Sequence, residues 1–153
     1  MDIVNVIMPN IYGPGEHLDF KRSHALGAII QKIVAAKKND EGHVELWGDG
    51  TPVREWLYIE DAAEALVRCL DIEPIIEPIN IGCGKGISMK ELVQLVKEEV
   101  GWNGNIIWDA SKPSGNPHKV MDTERMKKVL GWEPQVGLRE GIKKTIKWAT
   151  EVL

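Results

Sequence analysis

The chain has 153 residues, of which 43% are hydrophobic and 27% charged, and its formal net charge is −4 at pH 7. This composition is typical of a globular domain, so we expect residues 1–153 to form a single α/β domain. The negative charge gives no general attraction to nucleic acid or anionic membranes, and no apolar run reaches the length that spans a bilayer. Cys69 and Cys83 lack the spacing of a zinc site or a disulfide scaffold. We therefore expect a cytoplasmic protein with no metal and neither a nucleic-acid nor a membrane partner.

Strands and helices alternate along the chain. In chain order the sequence predicts a strand at 2–8, an irregular segment at 10–15, a helix that Ser23 caps and that ends near Lys38, strands at 44–47 and 54–58, a helix at 60–70 that Pro74 and Pro78 follow, a strand at 79–81, a helix from Ser88 to Val100, a strand at 106–108, a polar loop at 111–117, and helices at 124–130 and 138–152. This order predicts one compact α/β unit with no interior boundary. The strand at 2–8 is almost continuously apolar, and such strands are normally covered on both faces, so we expect its neighbours to be missing from this chain.

The segment Gly82-Cys83-Gly84-Lys85-Gly86 imitates a dinucleotide-binding loop, because it follows a predicted strand and precedes a predicted helix. The fingerprint of such loops is G-x-G-x-x-G, whereas here a single residue separates Gly84 from Gly86. Ser88 and Glu91 then form an S-x-x-E capping box for the next helix. A turn followed by a capped helix is the favoured interpretation over a cofactor-binding loop.

The segment from Trp47 to Trp56, WGDGTPVREW, combines a tight glycine turn with an aromatic plane and the guanidinium of Arg54. Such groups suit the base, ribose and diphosphate of a nucleotide sugar. On residue types alone, a hairpin turn explains the segment as well. The other strings of the chain decide between the two interpretations.

Several strings together resemble the C-terminal, substrate-binding part of the extended short-chain dehydrogenase/reductases, the NAD-dependent epimerase/dehydratase family. They are NIYGPG at 10–15, SH at 23–24, residues 47–58, EDA at 60–62, NIGCG at 80–84 and SKPSGNP at 111–117. Within that family the SH pair and the SKPSGNP string are most similar to the GDP-L-fucose synthase type. The resemblance implies the C-terminal portion of a Rossmann-like fold whose N-terminal cofactor-binding half is absent, with residues 2–8 as a late strand of the missing domain.

The resemblance also implies roles for particular residues. His24 matches a histidine that acts as acid or base when a 4-keto sugar is epimerised, a task suited to an imidazole. Asn10, Trp47 and Arg54 match positions of the substrate site, Arg54 as a phosphate ligand. Without the resemblance, a surface histidine, a core indole and a solvated cation would be the simpler interpretations.

Two further cations lie at positions where the family has a cationic residue. Lys32 stands where the family usually has a phosphate-binding arginine, which keeps the charge but loses the bidentate geometry. Lys112 matches the lysine of a Lys-Pro-x-Gly-x-Pro loop that closes over the nucleotide. Other departures weaken the assignment to GDP-fucose: they are Gly27, Ser114, Asn116 and His118.

The family's cofactor loop and its Tyr-x-x-x-Lys pair have no counterpart here, since Tyr12 is followed four residues later by Glu16 and Tyr58 by Ala62. We therefore expect NADP(H) to serve the complete enzyme and no cofactor to bind this chain alone. Met1 is expected to mark a truncated or split gene, or an artificially shortened chain.

The favoured hypothesis is the GDP-sugar-binding half of an NADP-dependent epimerase/reductase, inactive until an N-terminal Rossmann half or a separate subunit joins it. The alternatives are a fragment of another nucleotide-sugar 4-epimerase or dehydratase, and a non-catalytic binding module that self-associates through an exposed sheet edge.

Overall fold

The structure is a computed structural model and describes residues 3–17 and 24–152. In chain order its elements are β1 (Val4–Ile7), β2 (Asn10–Tyr12), α1 (Ala25–Lys38), β3 (His43–Trp47), β4 (Val53–Tyr58), α2 (Ile59–Arg68), β5 (Ile75–Asn80), β6 (Gly86–Ser88), α3 (Met89–Val100), β7 (Asn105–Asp109), β8 (His118–Lys119), α4 (Glu124–Leu130) and α5 (Leu138–Val152). The predicted α/β class is confirmed. Asp2 and Ser23, expected to begin the first strand and to cap α1, lie outside the described residues.

Within the described residues the strands form three sheets. β1 pairs with β5, and β3 pairs with β7, both in parallel. The third sheet centres on β4, which pairs in parallel with β2 and β8 and antiparallel with β6. In the pairing of β3 with β7, Leu46 lies opposite Trp108. Because the two strands run in the same direction, both end at the same edge of the sheet.

Three of these strands were not predicted from the sequence. Residues 10–12 were interpreted as an irregular segment, but Asn10, Ile11 and Tyr12 pair in register with β4. β6 and β8 are too short to show a periodic pattern, and both form on β4. Pairing with an existing strand, rather than local propensity, determines these three elements.

β5 is longer than the predicted strand at 79–81, and it includes Pro78. The sequence interpretation placed this proline outside any strand, which is wrong. The register with β1 is irregular here, since Val4 lies opposite Ile75 and Val6 opposite Ile79. A proline is tolerated at such a bulge because the ladder there does not require its missing N–H.

The start and end of α3 follow the prediction. The Ser88 side chain accepts a hydrogen bond from the backbone N–H of Glu91, and the Glu91 carboxylate accepts one from the backbone N–H of Ser88. Gly101 ends the helix in the left-handed conformation, with φ of 69°. This reciprocal cap fixes where the chain leaves β6 and enters α3.

Two hydrophobic cores lie among these elements. In the first, α1, α3 and α5 pack against one another and against β3 and β4, with Leu26, Ile33 and Leu92 fully buried. In the second, Leu57, Ile79 and Met126 join β4 and β5 to α2 and α4. Among the described residues, no helix combines the length and apolarity needed to cross a membrane.

Candidate functional site

A cavity of about 540 Å³ opens between α1 and the carboxyl ends of β3 and β7. One wall is a stripe of α1 with helical spacing, from Ala25 through Ile29 to Lys32. The opposite walls come from the turn after β3, from β4, from the first residue of α3 and from the loop at 113–114. We refer to it below as the central cavity. Its volume lies in the usual range for small-molecule sites, and the carboxyl edge of parallel strands is where α/β folds commonly bind ligands.

Three polar side chains predicted as substrate ligands line the central cavity, namely Asn10, Lys32 and Arg54. Asn10 donates from Nδ2 to the backbone oxygen of Glu55 at 3.0 Å, and Lys32 donates from Nζ to the backbone oxygen of Glu45 at 2.8 Å. The Arg54 guanidinium donates to the carbonyl of Val53 at 2.8 Å. Each of these bonds fixes the side chain while leaving further donor hydrogens for a ligand. The cavity therefore holds two cations and an amide that suit an anionic, oxygen-rich ligand.

Three indoles also line the cavity, on Trp47, Trp56 and Trp108. Trp47 is 68% exposed, whereas Trp56 is 5% exposed and belongs to the first core. The Trp56 indole nitrogen is buried and has no hydrogen-bond partner among the described residues. Trp108 is half-buried and packs against the first core.

Trp108 was not predicted as a site residue. The signal that finds it is the parallel pairing of β3 and β7, which places Trp108 opposite Leu46 at the strand ends that border the cavity. Sequence reasoning identified both strands but not their pairing, since nothing local reveals which strands become neighbours.

Two loops meet over the central cavity. Asp49 accepts hydrogen bonds from the backbone N–H and the hydroxyl of Thr51, at 3.0 and 2.8 Å, and one from the Ser114 hydroxyl at 3.2 Å. Asp109 accepts from the backbone N–H and the hydroxyl of Ser111 at 3.0 and 2.6 Å. Hydrogen bonds from Thr51 and Ser114 lower the pKa of Asp49, and those from Ser111 lower the pKa of Asp109. The ionised Asp49 thus joins the two loops through Ser114, and the ionised Asp109 holds the start of the second loop.

Lys112 and His24 do not line the cavity, although both neighbour residues that do. The Lys112 ammonium lies 5.9 Å from the centre of the Trp47 ring, and Pro113 and Ser114 follow it on the cavity wall. His24 is exposed at the N-cap of α1, immediately before Ala25. The sequence placed His24 in the first turn of the helix, and it lies one step earlier. Its side chain makes no capping hydrogen bond.

The two tyrosines of the chain, Tyr12 at the end of β2 and Tyr58 at the end of β4, are core residues. Tyr12 and Tyr58 are almost fully buried and contact each other edge to face, with ring centres 5.6 Å apart. Burial raises the pKa of the Tyr12 phenol, and burial followed by the charge of Glu60 raises that of Tyr58. These phenols remain protonated near neutral pH, and Tyr12 donates to the backbone oxygen of Leu138 at 3.3 Å. Neither has the lowered pKa that proton transfer requires.

The glycine segment at 82–86 is organised around a buried carboxylate. Glu55 is fully buried and accepts hydrogen bonds from the backbone N–H of Gly84 at 2.8 Å and of Met121 at 2.6 Å. Gly86 then begins β6, so a strand separates the glycines from α3. The Gly84 amide is therefore turned towards protein, not towards a phosphate at a helix N-terminus.

No group of three or more His, Cys, Asp or Glu side chains within residues 3–17 and 24–152 is arranged to hold a metal ion. Cys69 and Cys83 are free thiols. The side chains that line the central cavity offer cations, an amide and aromatic rings to a ligand.

Comparisons with known proteins place the chain in a family. Residues 1–82 match the NAD dependent epimerase/dehydratase family. The chain is 39% identical over 150 residues to a probable GDP-L-fucose synthase 1 of Oryza sativa subsp. japonica. The match covers 98% of this chain and 45% of the relative. It thus spans about half the length of the curated relatives it matches.

Solved structures show the same fold over a similar share. The NADP-bound GDP-L-fucose synthetase from Naegleria fowleri matches with a TM-score of 0.87 and 25% identity, over 97% of this chain and 46% of that one. A UDP-glucose 4-epimerase from Thermotoga maritima, solved with UDP-glucose, matches with a TM-score of 0.85 and 26% identity, over 96% and 45% respectively. The fold and the family match agree with the predicted C-terminal part of an extended short-chain dehydrogenase/reductase, and the chain belongs to the NAD dependent epimerase/dehydratase family, a family of NAD(P)-dependent enzymes.

Proposed function

We propose that this chain is the nucleotide-sugar-binding half of an NADP-dependent epimerase/reductase of the GDP-L-fucose synthase type, and that it is inactive alone. The observation that carries this proposal is the central cavity, which brings Asn10, Lys32 and Arg54 together beside three indoles. Relatives that are GDP-L-fucose synthases extend over nearly the whole chain, which supports a GDP-sugar as the substrate. The proposed site of action is the reducing cytoplasm, consistent with two free thiols.

The diphosphate of the substrate would bind between Arg54 on β4 and Lys32 on α1. A guanidinium offers two parallel N–H bonds to a phosphate, so Arg54 is the stronger anchor, while Lys32 supplies charge from the opposite wall. Lys112 and the loop at 111–117 lie at the rim and would cover the bound nucleotide. The electrostatic field here is local, because the chain as a whole is negatively charged.

Hydride transfer would need groups supplied from outside the described residues. Gly84 uses its amide on Glu55, and Tyr12 and Tyr58 are buried phenols with raised pKa values. We therefore propose that an N-terminal Rossmann half, or a separate subunit, contributes the NADP site and the proton-transferring residues.

Calorimetric titration with GDP, UDP and NADPH under reducing conditions tests the proposal. GDP is expected to bind, and Arg54→Gln is expected to weaken GDP binding by about 10-fold or more, as for loss of a charge-assisted pair. Lys147→Gln, which removes an exposed cation on α5, is the matched control and should leave binding unchanged. Stoichiometric NADPH binding, or equal GDP affinity of the Arg54 variant and the control, would contradict the assignment.

One observation favours a second candidate, a 4-epimerase or dehydratase for another nucleotide sugar. His24, the proposed epimerising acid or base, is exposed and does not line the cavity. In an enzyme completed with a Rossmann half, His24→Asn should abolish turnover of a GDP-4-keto sugar if the fucose-synthase type is correct. Turnover that survives this substitution would favour the second candidate. GDP binding with no turnover in any completed enzyme would instead indicate a non-catalytic module.

A further inference from the structure

We infer that Trp108 is the residue on which the nucleobase stacks, and that it gives the site a preference for purine over pyrimidine nucleotides. This inference rests on the proposed function and adds a residue that the sequence did not assign. The question it answers is which of the three cavity-lining indoles receives a flat ligand.

Two of the indoles are poorly suited to this role. Trp56 is 5% exposed and packed in the first core, so its ring has almost no free face. Trp47 is 68% exposed at the rim, and the Lys112 ammonium already lies 5.9 Å from its ring centre. A base on Trp47 would leave most of its own surface in water and would compete with this cation–π contact.

Trp108 combines a fixed ring with a position on the cavity wall. It is half-buried, and its inner side packs against the first core. Gly50 lies so close that a Cβ there would be 2.7 Å from Trp108 Cζ2 and 2.6 Å from Lys90 Cγ. The backbone of Gly50, with φ of 74°, is thus wedged between the indole and the start of α3. A larger residue at position 50 would push the ring out of place.

The cavity that Trp108 lines combines apolar and cationic side chains. Pro52, Met89 and Pro113 line it with the indole, and its two cations come from β4 and α1. A nucleotide has the matching features, an aromatic base and a diphosphate. Stacking on an aromatic side chain strengthens binding by about 5- to 150-fold per base, and a purine offers the larger π surface.

Titration of three variants with three ligands tests the inference. The variants are Trp108→Leu, Trp108→Phe and the matched control Trp148→Leu, which removes a half-buried indole from α5 away from the cavity. The ligands are GDP, UDP and inorganic pyrophosphate. Trp108→Leu should weaken GDP about 10-fold or more and UDP by a smaller factor, with pyrophosphate unchanged. Trp108→Phe should retain most of the affinity, and the control should match the unchanged chain.

A proton NMR measurement gives an independent readout that does not depend on the stability of the leucine variant. On binding to the unchanged chain, guanine H8 should shift upfield in the ring current of the indole, with a smaller shift in Trp108→Phe. An unshifted H8 in bound GDP would overturn the inference, as would a Trp108→Leu variant that binds GDP like the control. Equal losses for GDP and pyrophosphate would also overturn it, because they would assign Trp108 to the phosphate end.

The same series, together with Arg54→Gln, separates the two proposals. If GDP binds and Arg54→Gln weakens it while Trp108→Leu does not, the stacking inference fails and the nucleotide site stands. If the unchanged chain binds none of the three ligands, the proposed function fails and the stacking inference fails with it.

Discussion

Two regions of this molecule differ in how completely they cover their own apolar surface. We call α1, α3, α5, β3 and β7 the cavity region, and β1, β5, α2 and α4 the β1–β5 region. In the cavity region three helices enclose one core, and the central cavity opens beside them. In the β1–β5 region, by contrast, Ile76 is 92% exposed, Leu70 82% and Val67 61%. Single exposed apolar residues are ordinary, but a group of large ones marks a contact surface.

The difference indicates that the two regions have different roles, one at the cavity and the other at a contact surface. The cavity region covers most of its apolar surface, although Trp47, Ile107 and Val152 are exposed, and it borders the central cavity. Ile3, just before β1, and Ile7, at its end, remain about half exposed, although such apolar strands are normally covered on both sides. This surface is where we propose that a Rossmann half, or a second copy of the chain, would pack.

β4 links the two regions, because Trp56 and Tyr58 pack in the first core and Leu57 in the second, and replacing Glu55 on this strand should have the largest effect. The carboxylate lies on β4 and holds the amides of Gly84, just after β5, and of Met121, just after β8. Glu55→Ala would remove the fully buried acceptor of two backbone N–H groups, so we expect a loss of about 3 kcal/mol in the free energy of unfolding. Urea denaturation followed by circular dichroism measures this loss.

Glu45→Ala, on the exposed face of β3, is the matched control and should change stability by less than about 0.5 kcal/mol. An equal, small effect of both substitutions would show that the Glu55 carboxylate does not anchor β4 to these two segments. If the Glu55 variant instead unfolds in two separate transitions, the regions unfold independently once β4 loses this anchor.

The exposed apolar group should matter for association and little for stability. Replacing Leu70 and Ile76 together with serine should alter the free energy of unfolding by less than about 1 kcal/mol, because both side chains already lie in water. Any concentration-dependent self-association should weaken, as should capture by a separately expressed Rossmann half.

Sedimentation velocity over a range of concentrations measures the first effect, and co-purification with the Rossmann half the second. Glu77→Ser, an exposed polar position on the same strand as Ile76, is the control. An association that is unchanged in the double variant would place the contact surface elsewhere.

Local signals made most of the fold predictable. Helical spacing located the helices, and the Ser88–Glu91 box and Gly101 fixed both ends of α3. The three short strands on β4 and the position of Pro78 depend on pairing between distant segments, which local patterns do not encode. For the candidate site, the family resemblance predicted Asn10, Lys32, Trp47 and Arg54, all of which line the cavity.

The remaining site features required three-dimensional information. Trp108 reaches the cavity only because β7 pairs with β3, and its ring is fixed by the close approach of Gly50. The predicted roles of His24 and Lys112 stay predictions, since both residues border the cavity without lining it. Resemblance to a family names the residues of a site, while packing decides which of them face the same space.

The smallest expected effect concerns pH and the loops over the cavity region. The pKa of Asp49 is lowered by Thr51 and Ser114, and that of Asp109 by Ser111. A carboxyl whose pKa is lower in the folded state contributes stability above its unfolded value, near 4, and loses it as the pH falls through the folded value. The loops should therefore loosen below about pH 4 and be insensitive between pH 5 and 8.

Amide hydrogen exchange at Thr51 and Ser111 should accelerate on acidification beyond the intrinsic pH trend. Exchange at Val53 and Lys90, whose amides donate to backbone carbonyls, should not. In Asp49→Asn the amide oxygen still accepts from Thr51 but no longer titrates, so the acid response at Thr51 should disappear and that at Ser111 should remain. An unchanged response at Thr51 in this variant would assign the loosening to some other group of the cavity region.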